Sequence, residues 1–251
     1  MVKKILTFLT ISLIAVTIQA QELRFSYKGS RVLMDSTLNK PEEPVVKGII
    51  EFFKPEMDRV MQEVVGESEV EMRSGRPESL LSNFAVDALL EFAQKHSKEK
   101  VDFSLMNFGG IRATLPKGNV RRYDVFSIFP FENYVVVLDV TGATVRKLLE
   151  SFARKGAEAM SFNVQLEIKG GGVLKEALID GVQIDDAKIY RIATIDFLLS
   201  GGDNVMALKE AVAVEQTGFL IRDAIFEKIA DIRKSGKKIS SSLTNRVEIE
   251  D

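Results

Sequence analysis

The chain has 251 residues, no cysteine and one histidine. Without Cys there is no disulfide framework, no thiolate zinc site, no cysteine nucleophile and no iron–sulfur cluster. A lone imidazole also excludes a multi-histidine metal centre within this chain, since such centres draw on several neutral, ligating His side chains. His96, in Gln94-Lys95-His96-Ser97-Lys98, sits at the polar end of a predicted helix, where an exposed His is favoured by the C-terminal dipole. An excess of either charge is lacking too. With 34 basic and 36 acidic side chains the formal charge is −2. There is no basic footprint of the kind that draws nucleic acid, and we expect no nucleic-acid partner. Internal repeats and low-complexity tracts are absent.

The apolar content of 45% suits a globular protein, and one apolar run stands apart from it. Met1-Val2-Lys3-Lys4 makes a cationic start, Ile5 to Ile18 is broken only by Thr and Ser, and Gln19-Ala20-Gln21 offers a small residue for cleavage. This is the pattern of a secretory signal peptide over residues 1–20, too short to span a bilayer. We therefore expect an exported protein, periplasmic or secreted, with no membrane attachment after cleavage. Loss of Lys3 and Lys4 leaves 32 basic against 36 acidic groups.

Residues 21–44 read as an edge strand or extended arm that ends at the proline-marked Pro41-Glu42-Glu43-Pro44. From Val45 to Val65 the apolar set Val46, Ile49, Ile50, Phe53, Met57, Val60, Met61 and Val64 follows helical spacing, with a kink or break expected at Pro55. Leu80 to Ala93 carries a second stripe, opened by Pro77-Glu78-Ser79. Val101, Phe103 and Leu105 alternate with polar residues as a strand. Tyr134 to Val140 is a buried-type strand, and Thr141-Gly142 caps a helix to about Arg154 that closes at Gly156. Phe162–Ile168, Leu174–Ile179, Ile189–Thr194 and Arg246–Ile249 read as strands, and Leu220–Ile232 as a last helix. The interleaving predicts one α/β (α+β) mixed-sheet domain over residues 45–251, preceded by an arm.

Two glycine-marked junctions carry candidate chemistry, because glycine lets a backbone approach a ligand closely. In Asn107-Phe108-Gly109-Gly110-Ile111-Arg112, Gly109 and Gly110 free the local amides and Arg112 offers a forked donor to phosphate or carboxylate. In Phe197-Leu198-Leu199-Ser200-Gly201-Gly202-Asp203-Asn204, a carboxylate follows Gly202 and suits the paired hydroxyls of a sugar, with an aromatic upstream for stacking on a base. Taken singly, both strings also suit ordinary turns. Phe131, in Pro130-Phe131-Glu132-Asn133, adds a ring beside a rigid proline, and Arg73 and Arg76 lie ahead of the second helix.

Arg76-Pro77-Glu78-Ser79, Asn83 to Ala88, Asn107 to Arg112, Pro130 to Asn133, Thr141-Gly142, Tyr190 to Thr194 and Phe197 to Asp203, in this order, resemble the C-terminal, substrate-binding domain of the secreted 5′-nucleotidase family. The resemblance covers roughly residues 45–250. It implies a nucleoside base sandwiched between Phe131 and Phe197, ribose hydroxyls gripped by Asp203, a contact to base or phosphate from Asn107 and one to the substrate phosphate from Arg112. A further arginine matches Arg76 or Arg73. Phe108 stands where the family usually has Gly, and Asn204-Val205 where Gly and an aromatic usually follow. Full-length members carry two metal ions on an N-terminal metallophosphoesterase domain, which residues 21–44 are too few to form. The resemblance thus implies a nucleotide or nucleoside ligand and no cofactor in this chain. It also implies divalent metals held by a separate metallophosphoesterase partner chain, with no catalytic residue here; the alternatives are a stand-alone, non-catalytic nucleoside- or nucleotide-binding protein and a degenerate domain used for protein contacts.

Overall fold

The computed structural model describes residues 25–40 and 42–250. The signal-peptide reading of residues 1–20 lies outside the described residues. The chain divides into two compact units, one up to Ile50 and one from Glu51 onward. In the first, residues 25–34 form no ladder, so the edge-strand alternative fails over these residues; a 3₁₀ turn at Ser36–Asn39 follows, capped by Asp35. Helix α1, Pro44–Met61, is continuous through Pro55. The expected break is absent. Proline removes one backbone donor, a loss that water can offset on a helix with no buried residue. Val64, read as the end of that helix, instead opens a strand.

The remaining helices are α2 Leu80–His96, α3 Arg122–Ile128, α4 Gly142–Ala153, α5 Asp196–Leu199 and α6 Ile221–Lys234. The strands are β1 Val64–Ser68, β2 Phe103–Met106, β3 Gly118–Arg121, β4 Tyr134–Thr141, β5 Ala159–Met160 and β6 Val164–Lys169. They continue as β7 Val173–Ile179, β8 Val182–Gln183, β9 Ile189–Ile195, β10 Ala213–Leu220 and β11 Val247–Ile249. They form three sheets: β1-β3, a five-stranded β10-β4-β9-β2-β5, and a four-stranded β11-β6-β7-β8. The α/β reading holds, with strands β1, β3, β5, β8 and β10 added to those legible in the sequence.

α2 forms where its pattern says it should. Ser79 accepts from the Ser82 amide in a capping box, and the stripe Leu81, Phe84, Ala85, Ala88, Leu89, Phe92 is buried. α4 is capped by Thr141, which accepts from the Thr144 amide. The five-stranded sheet sets where the loops of the larger unit emerge. β9 pairs in parallel with β2, Phe103 opposite Ile192, and antiparallel with β4, Val135 opposite Ile195. The C-terminal ends of β2 and β9 and the N-terminal end of β4 therefore share one edge of the sheet.

Glu78 ties the C-terminal segment to the start of α2. Its carboxylate accepts from Asn83 Nδ2, the Thr244 amide and the Arg246 amide. Burial raises the pKa of this carboxyl, but those hydrogen bonds and the Arg246 charge outweigh it and hold the group below its usual value of 4.5. Stability from Glu78 is therefore present above pH 4.5 and lost as pH falls through the lowered pKa. Glu78→Gln should cost about 1–3 kcal/mol in urea unfolding at neutral pH. The gap to wild type should narrow as pH falls from 4.5 through the lowered pKa; a gap independent of pH would refute the assignment.

Candidate functional site

The loops at the shared edge enclose a cavity of about 290 Å³ lined by Asn107, Gly109, Gly110, Arg112, Phe131, Asn133, Phe197 and Asp203. Its volume lies near the lower end of small-molecule sites. Residues up to 96 positions apart in sequence meet here because β2, β4 and β9 are neighbours. A larger, open hollow of about 700 Å³ lies against α6, but its Arg122 is neutralised by Glu63 at 2.5 Å.

Two rings face this cavity rather than the core, Phe131 at 47% and Phe197 at 40% exposure. Each is held through its backbone. The buried Arg222 at the start of α6 donates to the carbonyls of Phe129 and Phe131 at 2.9 and 3.0 Å. Asp196 accepts from the Tyr134 and Phe197 amides at 3.0 and 2.8 Å, clamping the start of β4 to the turn after β9. The Phe197 ring then lies on Gly202. A β-carbon there would meet ring atoms and the Phe197 carbonyl at 2.5 Å.

Asp203 follows in the left-handed region at φ 52°, ψ 28°, a conformation that Asp tolerates better than most residues. Its Oδ2 accepts from Asn107 Nδ2 at 2.5 Å, joining the two glycine-marked loops. Gly109 makes room, since a β-carbon there would stand 3.2 and 3.3 Å from those two side chains. Asn107 is buried, and its Oδ1 has no hydrogen-bond partner. A buried acceptor without a donor is costly and is satisfied by a ligand donor or water. Arg112 is exposed, forms no ion pair among the described residues, and sits 6.0 Å from the Phe131 ring centroid.

Gly202 stands beneath the Phe197 ring rather than among the lining residues. Arg76 does not line the cavity either. Its guanidinium donates to the Ala157 carbonyl and to Glu158 at 2.5 and 2.6 Å, and lies over the Phe108 ring at 4.8 Å. Arg73 pairs with Glu71 at the surface. Sequence reading missed Asn133, Arg222, Asp196, Lys155 and Glu158. Asn133 closes the string Pro130-Phe131-Glu132-Asn133 and was within reach, whereas the other four stand in no recognisable string.

Among the described residues no group of three or more His, Asp or Glu side chains could hold a metal ion. His96 pairs with Glu227 at 2.9 Å between the rings of Phe92 and Phe219. These donors do not fit a dinuclear metal centre, and no step through a metal is assigned to this chain.

Residues 64–210 match the family model for the 5′-nucleotidase C-terminal domain. The chain belongs to that family. It is 29% identical over 226 residues to the trifunctional nucleotide phosphoesterase protein YfkN of Bacillus subtilis, covering 82% of this chain and 15% of that protein. It is 34% identical over 135 residues to protein UshA of Escherichia coli, covering 52% of this chain and 24% of the relative. Among solved structures, the 5′-nucleotidase precursor from Thermus thermophilus superposes with a TM-score of 0.71 at 25% identity, over 90% of this chain and 47% of that one. The chain thus spans less than half the length of these relatives.

Gly202→Ala should push the Phe197 ring off its seat and cost about 1–3 kcal/mol, the scale of an overpacked contact. Urea denaturation and the Phe197 ring proton shifts check this. Unchanged ring shifts would mean that the glycine does not set the position of the aromatic.

Proposed function

We propose that this chain is the nucleotide- and nucleoside-recognition body of a 5′-nucleotidase system in nucleotide catabolism. In this reading it is exported and acts with a separate metallophosphoesterase chain that hydrolyses the phosphate ester. One observation carries it: two exposed rings, a carboxylate linked to a buried amide, and an unpaired arginine line a single cavity. Stacking by Phe131 and Phe197 suits a flat base, because every base has a π-face. Asp203 suits acceptance from ribose hydroxyls, and Arg112 suits a charge-assisted bond to phosphate.

Phosphate-ester hydrolysis in a dinuclear site needs metal-bound water and a clamp on the leaving oxygen, chemistry assigned here to the partner, which would hold the divalent ions. The residues of this chain then bind and orient: they fix the base and sugar so that the phosphate projects from the cavity mouth past Arg112. Support for a partner comes from the part of α1 in the larger unit, where Phe53, Met57 and Val60 follow helical spacing and are exposed. Contiguous apolar surface of this kind marks interaction sites. Support for export comes from the Lys3-Lys4, Ile5–Ile18 and Ala20 pattern. No helix among the described residues is long and apolar enough to cross a membrane.

Calorimetry on the chain lacking residues 1–20 should detect adenosine or AMP at micromolar affinity. Phe197→Ala and Asp203→Ala should each weaken binding about tenfold or more, since base stacking is worth about 1–3 kcal/mol and hydrogen bonds to a charged group about 1.5–3 kcal/mol. Full affinity in both variants would remove the cavity from consideration. Mixing with a co-expressed metallophosphoesterase and divalent metal should raise AMP hydrolysis; no gain with such a chain would leave recognition without catalysis.

A further inference from the structure

The connection between α4 and β5, Lys155-Gly156-Ala157-Glu158, touches three separate loops. Lys155 donates its ammonium to the Asp203 carbonyl. The Ala157 carbonyl accepts from Arg76 at 2.5 Å. Glu158, only 2% exposed, accepts from Arg76 at 2.6 Å and from the Phe108 amide at 2.8 Å. Gly156 and Ala157 both have positive φ, 74° and 71°. For alanine this region is strained and persists only where the surroundings impose it, which here means the contacts on either side. Burial pushes the Glu158 carboxyl above its ordinary range; the Asp203 charge adds to the rise, while the Phe108 amide, Arg76 and Lys155 oppose it. A buried carboxylate of this kind is costly to strand, so Arg76 cannot leave it without penalty.

Resting on the reading that the cavity takes a nucleoside or nucleotide, we propose that Arg76 is a strut for the glycine loop and not an anion contact, leaving Arg112 as the single cation for phosphate. Stacked on Phe108 and bound to Glu158 and Ala157, Arg76 holds the backbone that carries Asn107, Gly109, Gly110 and Arg112. Phe108 supplies the platform. The consequence is a site selective for the nucleoside moiety. Arg112 is solvent-exposed, so AMP should be preferred over adenosine by about fivefold or less, the scale of an exposed ion pair. The remaining phosphate recognition falls to the partner.

The test compares adenosine and AMP by calorimetry on wild type, Arg76→Ala and Arg112→Ala, with amide hydrogen exchange across residues 107–112 in the unliganded proteins. Arg76→Ala should weaken both ligands by one common factor, about tenfold, and should speed exchange at Phe108. Glu158→Gln should speed exchange at Phe108 as well, because it removes the charge that fixes Arg76. Arg112→Ala should abolish the AMP preference, bringing AMP down to the affinity that the same variant shows for adenosine. Selective loss of AMP in Arg76→Ala would overturn the proposal, since the guanidinium would then be reaching the phosphate. So would unchanged exchange at Phe108 in both Arg76→Ala and Glu158→Gln. Failure of wild type to bind either ligand would sink the nucleotide reading itself, while the exchange data would still decide whether Arg76 supports the loop.

Discussion

Strand pairing around β9 is the constraint on which the cavity depends. Because β9 runs parallel to β2 and antiparallel to β4, a glycine loop, an aromatic loop and a carboxylate turn open on one edge. A reversed pairing on either side would carry one of them to the opposite edge. The core beneath is almost wholly apolar: Val135 to Leu138 of β4 and Ile192, Ala193 and Ile195 of β9 are buried. Consecutive residues are buried along both strands, so both faces of the sheet are covered and register is held by the close packing of individual side chains on each face. The geometry of the site is in that sense a by-product of core packing.

On this frame, polar contacts set the fine positions. Asn107 binds Asp203 across the cavity floor, Asp196 bridges β4 to the turn after β9, and Arg222 gathers the Phe129–Phe131 carbonyls. These are charge-assisted bonds, several of them partly or fully shielded from water, where such bonds are stronger and less forgiving of a missing partner. The exposed rings contribute little to the core. Their position makes sense as an opening kept available, much as the unpartnered Asn107 Oδ1 does.

Much of this was legible in the amino-acid order. α2 and α4 carry both a cap and a periodic apolar face, two independent signals that agree. The glycine strings and Phe131 were visible because turns and rings leave compositional marks. β10 was not, since Ala213 to Leu220 alternates weakly and lies exposed at a sheet edge. Val64 and Val60 fall on one helical stripe, which extended the first helix too far. The place of Arg76 was beyond reach for another reason. Its partner Glu158 is 82 residues away, in a stretch without any motif, and only the fold brings them together.

The wide separation of the cavity's parts along the polypeptide has an outcome for how binding and folding are linked. A peptide that contains both Asn107 and Asp203 must also carry β4, β5 and β9, and without β2 and β10 the central sheet that seats them is incomplete. Occupancy therefore reports on the integrity of that sheet, and a molecule held there protects from protease every segment, near or distant, whose cleavage requires the sheet to come apart.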